Sequence, residues 1–87
     1  MLTPVMTARV REILSDHARL PVDVSAIADN ADLYDSGMTS HASVNVMLAL
    51  EEGFDVEFPD SMLTRSVFAS INSICAAIAQ LEQAQAA

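Results

Sequence analysis

Hydrophobic side chains recur at spacings of three and four along three stretches of this chain, which is the period of one face of an α-helix. In the first stretch the apolar face consists of Met6, Val10, Ile13 and Leu14, with His17 at its edge. Thr3 and Pro4 form a typical helix start, with Thr as the N-cap and Pro at the first helical position. The pattern predicts a first helix over about 4–18.

The second stretch predicts a helix from Ser40 to about 53, where Gly53 suits a C-terminal cap. Its inward stripe consists of Val46, Met47, Leu50 and Phe54. Val44 and Leu48 lie outside that stripe and make the helix apolar over much of its circumference. Such a helix is either deeply buried or offers one face to a partner.

The third stretch predicts a last helix over about 70–82, capped by Ser70. Its apolar face consists of Ile71, Ile74, Cys75, Ile78 and Leu81. A short helix is expected over about 60–65, and the low-complexity tail at 83–87 is expected to fray. No segment predicts a sheet, although FDVEF (54–58) alternates as a strand would.

Turn-forming and acidic residues interrupt the helical pattern over 20–39. Four apolar residues could tie this loop to the core: Val24, Ile27, Leu33 and Tyr34. A loop of this length inside a compact domain is uncommon and is often functional. The pattern predicts a single all-α domain over 1–87, a four-helix bundle with a long loop between helices one and two and a short helix three.

Negative charge dominates the composition. The 87-residue chain has a formal net charge of −8, from twelve Asp and Glu against four basic residues, all Arg. Nine of the acids and no basic residue fall between Leu20 and Asp60. Nucleic-acid binding needs the opposite charge, so we exclude it. An acidic surface favours basic patches on protein partners, although charge that serves only solubility is the alternative.

The cysteine count and the hydropathy indicate the cellular compartment in which the protein is expected. Cys75 is the single cysteine, so no intramolecular disulfide can form, which suits a reducing compartment. No apolar run approaches the roughly 20 residues that a membrane-spanning helix needs. The N-terminal residues lack the order of a signal peptide. We expect a cytoplasmic monomer without membrane attachment.

The reactive side chains do not form a recognisable metal or catalytic site. Two histidines and one cysteine do not supply a tetrahedral zinc set. The acidic run at 29–37 lacks the alternation and the closing Glu of a calcium loop, which leaves open only weak calcium or magnesium binding by loop carboxylates. Ser40 and His41 point in different directions on a helix, and no G-x-S-x-G motif is present. We expect neither enzyme activity nor a metal site.

Ser40 stands where the acidic loop becomes helix two, three residues after Gly37. A hydroxyl at a helix N-terminus is accessible, and a phosphodiester placed there is favoured by the helix dipole. Because no base lies beside it, Ser40 suits modification by another enzyme. The alternative is an ordinary serine N-cap.

From Leu33 to about Leu81 the sequence resembles acyl carrier proteins and related phosphopantetheine carriers. The residues that carry the resemblance are Gly37, Ser40, Val44, Leu48, Ala49, Leu50, Glu51, Glu52, Phe54, Asp55, Pro59 and Asp60. The resemblance implies that a phosphopantetheinyl transferase attaches 4′-phosphopantetheine, from coenzyme A, to Ser40 through a phosphodiester. The terminal thiol of this arm would hold a cargo as a thioester. Asp35-Ser36 imitates the family's usual Asp-Ser pair, but the spacing to LALEEGFD (48–55) selects Ser40.

The resemblance also makes helix two the recognition helix for partner enzymes. The candidate contacts are His41, Val44, Asn45, Leu48 and Glu52. Val44 and Leu48 would make apolar contacts, and Glu52 would meet basic residues of a partner. Glu51 and Glu52 lie in the last turn, where the helix dipole disfavours negative charge. They are either contacts for a basic partner or a tolerated, solvated pair.

The chain departs from the family's pattern at the site itself. Thr39-Ser40-His41 replaces the usual Asp-Ser-Leu, and Ala42 and Asn45 replace acids of fatty-acid carriers, which favours a dedicated system. GMTSHASVNVMLALEEGFDVEFPD (37–60) with LTRSVFASI (63–71) most resembles small stand-alone bacterial carriers loaded with amino acids by class II synthetase-like ligases. This implies glycine or alanine as cargo and a downstream acceptor enzyme. The alternatives are an ordinary acyl carrier of a specialised fatty-acid or polyketide pathway and a helical interaction module without the arm.

Overall fold

Three α-helices make up most of the computed structural model, which describes residues 4–86. Helix α1 spans Pro4–His17, α2 spans Ser40–Phe54 and α3 spans Ile71–Ala86. Two 3-10 turns, Val24–Ala26 and Asp60–Met62, lie in the connections, and no strand occurs in the described range. The predicted all-α fold, with its long first loop, is confirmed. The predicted Thr3 cap lies outside the described residues.

Two element predictions were wrong in extent. The short helix expected over 60–65 is a single 3-10 turn at Asp60–Met62, because Leu63 leaves helical geometry with ψ 61°. The tail expected to fray from 83 is part of α3 as far as Ala86, since its Ala and Gln residues are good helix formers and include no breaker. Ala87 is outside the described residues.

The end of α2 also differs from the prediction, because Gly53 is not its cap. Gly53 lies inside the helix, and Asp55 supplies the left-handed residue at its end, with φ 55°. The absence of a side chain at Gly53 serves packing instead. A Cβ there would lie 3.2 Å from Cδ1 of Ile13, so the glycine allows α1 to approach α2 closely.

The core lies where α1 packs against both α2 and α3. Its fully buried side chains are Val10, Leu14, Leu33, Val46, Leu50, Ile71, Ile74, Cys75 and Ile78. All of them except Leu33, which comes from the long loop, belong to the apolar stripes predicted for the three helices. His17, expected at the edge of the first stripe, is exposed. No helix within residues 4–86 combines the length and the apolar character needed to cross a bilayer.

Hydrogen bonds tie the long loop to the start of α3. The backbone N–H of Leu33 donates to the carbonyl of Ala69 at 2.6 Å, and the N–H of Asn72 donates to the carbonyl of Asp29 at 2.9 Å. Arg11 holds the loop from the other side, because it donates to the Val24 carbonyl at 2.7 Å and forms an ion pair with Asp29. The loop that leads to Ser40 is therefore an ordered part of the structure.

Candidate functional site

Ser40 is the first residue of α2, and its side chain is exposed. The N-cap is the preceding residue, Thr39, which has extended backbone angles and accepts a hydrogen bond from the N–H of Ala42 at 3.0 Å. The alternative of Ser40 as an ordinary N-cap is therefore wrong. Within residues 4–86 the Ser40 hydroxyl makes no hydrogen bond, so it is free for chemistry.

A tight turn at Gly37 precedes Ser40 and positions it at the start of α2. Gly37 has φ +118°, and a Cβ there would lie only 2.6 Å from Cδ of Pro21. Met38 follows and is buried in the core, where it anchors the chain. Only glycine fits both this backbone angle and the close approach of Pro21. The turn at Gly37 and the buried side chain of Met38 therefore fix the position of Ser40.

Ser36, the serine that follows Asp35, takes part in a turn of its own. Its hydroxyl donates to the backbone carbonyl of Asp32 at 3.1 Å, and its N–H donates to the same oxygen at 3.1 Å. The Asp32 carboxylate accepts from the N–H of Tyr34 at 2.8 Å and holds the turn from the inside. This geometry agrees with the choice of Ser40 over Ser36.

The start of α2 fits an attached phosphodiester. The first N–H groups of a helix have no acceptor within it, and Thr39 satisfies that of Ala42, which leaves those of Ser40 and His41. The first turn contains no acidic side chain. Free N–H groups and the absence of like charge favour a phosphate at this position. The residues present therefore fit phosphopantetheine.

A groove of about 280 Å³ opens beside Ser40. It is lined by Tyr34, Ser40, Ser43, Val44, Met47, Leu63, Thr64, Arg65 and Phe68. The guanidinium carbon of Arg65 lies 4.2 Å from the centre of the Tyr34 ring. Phe68, at the base, packs against Phe58 with ring centres 5.4 Å apart. The lining combines apolar side chains with hydroxyl groups and one cation.

Sequence reasoning missed Arg65 and Leu63 at this site and treated Tyr34 only as a tie to the core. Leu63 is 45% exposed and lies in the segment expected to be helical. The one available signal was that Arg65 is the sole basic residue after Arg19. The contact between Arg65 and Tyr34 depends on tertiary structure, so periodicity could not reveal it.

The five predicted partner contacts are all accessible on α2. Val44 is 51% exposed and Leu48 is 53% exposed, which is unusual for large aliphatic side chains. His41 and Glu52 are exposed, and Asn45 is half-buried. Their spacing places them on one face of the helix. Their role as partner contacts stays a prediction.

A second groove, of about 770 Å³, lies on the surface between α1 and α2. Its lining is polar and mixed in charge: Arg9, Glu12, Ile13, Asp16, His17, Arg19, Asn45, Leu48, Ala49, Glu52 and Gly53. Three of the predicted contacts, Asn45, Leu48 and Glu52, thus border α1.

Glu51 has a structural partner, whereas Glu52 has none in the described range. The Glu51 carboxylate accepts a hydrogen bond from the N–H of Phe58 at 2.8 Å. Its backbone carbonyl accepts from the N–H groups of Asp55 and Val56. Glu51 therefore secures the chain that leaves α2, and only Glu52 is free to meet a basic partner.

The titratable side chains of the described residues form neither a metal site nor a reactive thiol. In residues 4–86 no three His, Cys, Asp or Glu side chains cluster as a metal site would require. Asp23 accepts from the N–H of Ser25 at 3.0 Å and from its hydroxyl, and these bonds lower the pKa of Asp23 below its ordinary value. Burial raises the pKa of the Cys75 thiol, so it stays protonated at neutral pH.

Comparison with known proteins gives the family. A family model described as "Phosphopantetheine attachment site" matches residues 8–78. A curated relative from Agrobacterium fabrum, named "Aminoacyl carrier protein", is 55% identical over 69 residues, which cover 79% of this chain and 83% of the relative. The resemblance stated from the sequence is confirmed.

Solved structures agree with this relationship. One similar chain is in the crystal structure of an engineered Bradyrhizobium japonicum glycine:[carrier protein] ligase complexed with carrier protein from Agrobacterium tumefaciens and ATP. It is 51% identical, with a TM-score of 0.84, and the match covers 86% of this chain and 97% of that one. Another is in the structure of Bradyrhizobium japonicum glycine:[carrier protein] ligase complexed with glycylated carrier protein. It is 26% identical, with a TM-score of 0.73, covering 84% of this chain and 97% of that one.

The family match spans most of the chain, and it includes the turn, the free hydroxyl and the acid-free helix start described above. The predicted fold and cofactor are both confirmed by these findings. The chain belongs to the phosphopantetheine attachment site family of carrier proteins, whose cofactor is covalently attached phosphopantetheine.

Proposed function

We propose that this protein is an aminoacyl carrier whose phosphopantetheine arm is attached to Ser40. The observation that carries the proposal is the exposed, uncommitted hydroxyl of Ser40, held between its capping neighbour Thr39 and an open groove. The relative named as an aminoacyl carrier supports the class of cargo. The similar chains in complexes with glycine:[carrier protein] ligases support glycine, or the similarly small alanine, as that cargo.

In this function the chain positions the Ser40 hydroxyl, and the modifying enzyme catalyses its reaction. The Ser40 oxygen forms a bond to the β-phosphorus of coenzyme A, the pyrophosphate bond breaks, and adenosine 3′,5′-bisphosphate leaves. The serine proton goes to a base of the phosphopantetheinyl transferase, which also supplies the metal, because Ser40 has no base of its own here. When bound, the arm supplies a thiol that holds the aminoacyl group as a thioester. The protein itself catalyses no step.

The exposed face of α2 would present the loaded site to each partner in turn. Val44 and Leu48 offer apolar surface beside Ser40, and Glu52 offers a negative charge farther along. His41 and Asn45 complete this face. The partners are the transferase, an amino acid:carrier protein ligase and an acceptor enzyme downstream. A cytoplasmic location and a monomeric state remain predictions.

Intact-mass measurement tests the attachment site. Wild type, Ser40→Ala and Ser36→Ala would each be incubated with coenzyme A, Mg²⁺ and a broad-specificity phosphopantetheinyl transferase. We expect a phosphopantetheine-sized mass gain in wild type and Ser36→Ala and none in Ser40→Ala. Ser36→Ala is a matched control because it removes the same group four residues away. A gain in Ser40→Ala would overturn the assignment, and no gain in wild type would favour the interaction module.

Loading of the arm tests the cargo. The modified protein would be offered glycine or alanine with ATP and a glycine:[carrier protein] ligase, and fatty acids with an acyl carrier synthetase. We expect an aminoacyl mass gain that hydroxylamine removes, because hydroxylamine cleaves thioesters. Loading by fatty acids alone would replace the aminoacyl proposal with that of an ordinary acyl carrier.

A further inference from the structure

Arg65 lies in the groove that opens beside Ser40, and the proposed function gives it no role. We propose that Arg65 binds the phosphate that joins the arm to Ser40. This inference rests on the proposed function, since it needs a phosphodiester at Ser40. It assigns a binding role to a residue outside the helix that carries the attachment site.

The donors of Arg65 are free. Its side chain is exposed, and within residues 4–86 its guanidinium makes no ion pair and no hydrogen bond. The ion pair in this part of the chain belongs to Arg11 and Asp29. A guanidinium presents its N–H groups in a planar fork that matches two oxygens of a phosphate. Arg65 therefore has unused capacity of the kind that a phosphate needs.

The groove between Arg65 and Ser40 is free of competing negative charge. None of its nine lining residues is Asp or Glu, in a chain that contains twelve acids. Residues 36–50, which run from the turn through most of α2, also contain no acid. A phosphodiester at Ser40 thus enters a region whose one cation is Arg65. No acidic side chain lines the groove to offset the mutual attraction.

The Tyr34 ring holds Arg65 in place before any phosphate arrives. The guanidinium lies over the face of the ring at 4.2 Å, a distance at which cation–π attraction is effective. The backbone of Tyr34 is held in turn, because its N–H donates to the Asp32 carboxylate and its carbonyl accepts from the N–H of Gly37 at 3.1 Å. A side chain that is already oriented loses less conformational freedom when it binds.

The test uses the modified, unloaded protein and two NMR signals. The ³¹P resonance reports on the phosphodiester, and the ¹⁵N–¹H signal of Arg65 Nε reports on its donor. The variants are Arg65→Gln, Tyr34→Leu, which removes the ring under Arg65, and Arg19→Gln as the control. Arg19 is exposed and lines the other groove, so Arg19→Gln makes the same charge change away from Ser40. Circular dichroism confirms that each variant is folded.

We expect the Nε–H signal of Arg65 to shift downfield when the arm is attached. The ³¹P resonance should move in Arg65→Gln and in Tyr34→Leu and stay at its wild-type position in Arg19→Gln. Salt at about 1 M should shrink the difference, because the Debye length falls to about 3 Å. An unchanged ³¹P resonance in Arg65→Gln, together with an unmoved Nε–H signal, would overturn the inference. Mass spectrometry of the same samples separates that result from failure of attachment, which would instead refute the proposed function.

Discussion

Four hydroxyl side chains lie between residues 36 and 43, and three of them are held by hydrogen bonds to the backbone. Ser36 donates to the Asp32 carbonyl, Thr39 caps α2, and Ser43 donates to the carbonyl of Ser40 at 2.6 Å. The hydroxyl of Ser40 is the exception in this stretch. Neighbouring residues of similar chemistry thus differ, since three of the hydroxyl groups support the structure and that of Ser40 does not.

This division predicts that two adjacent substitutions differ in their effect on the free energy of unfolding. Thr39→Ala should lower the free energy of unfolding by about 1 kcal/mol, because it removes the N-cap of α2. Ser40→Ala should change it by no more than about 0.5 kcal/mol, as expected for an exposed residue without a partner. Urea denaturation followed by circular dichroism measures both. A larger loss for Ser40→Ala than for Thr39→Ala would contradict the assignment of the cap.

The carboxyl end of α2 carries negative charge that the helix dipole disfavours, and other contacts at this end partly offset that cost. Glu51 and Glu52 place negative charge at the negative end of the helix dipole. Glu51 offsets this by accepting the Phe58 N–H, which fixes the segment after the helix. Arg9 of α1 approaches the carbonyl of Gly53, at 3.5 Å, and brings positive charge to the same end. Glu52 has no such compensation.

The two glutamates should therefore differ when each is replaced by alanine. Glu51→Ala should lower the free energy of unfolding by about 1 kcal/mol, since it leaves the N–H of Phe58 without its acceptor. Glu52→Ala removes the same charge at the next position and should stay within about 0.5 kcal/mol of wild type. Chemical denaturation of both variants at one salt concentration gives the comparison. Equal gains in stability for the two variants would show that relief of the unfavourable helix dipole, rather than loss of the hydrogen bond, dominates.

The molecule as a whole carries far more negative than positive charge. Its formal net charge is −8, and in the part of the chain that the structure describes Arg11 and Asp29 form the ion pair between side chains. Most acids are exposed and repel one another, which disfavours the compact state. Residues 36–50, which include Ser40, contain no acid and therefore add no negative charge around the candidate attachment site.

Added salt should consequently stabilise the protein. Raising NaCl from 0.01 M to 1 M shortens the Debye length from about 30 Å to about 3 Å, which screens repulsion among twelve acids more than attraction in one exposed pair. We expect the melting temperature at pH 7 to rise, with most of the rise below a few tenths molar. A melting temperature that falls over this range would mean that attractive pairs outweigh the repulsion.

The sequence predicts the large elements well because each depends on periodicity within one segment. The three long helices follow from their apolar stripes, and the spacing to the motif after it selects Ser40. The N-cap of α2 is Thr39 and not Ser40, one residue later. Both are good capping residues, and only the backbone angles distinguish them.

Other features of the site depend on contacts between distant segments. Glu51 reaches Phe58 only because the chain reverses at Asp55, and Arg65 meets Tyr34 only through the fold. No local pattern encodes either contact. The candidate attachment residue, Ser40, can therefore be proposed from local sequence, whereas the residues that surround and support it cannot.

Cys75 sits on the core face of α3, fully buried, with its thiol kept protonated. The thiolate is the nucleophilic form of cysteine, and an exposed thiolate near a thioester would capture the acyl group. The burial of Cys75 keeps its thiol out of such an exchange. The arm then presents the only reactive sulfur of the folded protein, and thiol-directed reagents should count unloaded carriers directly, without any need to remove the cysteine.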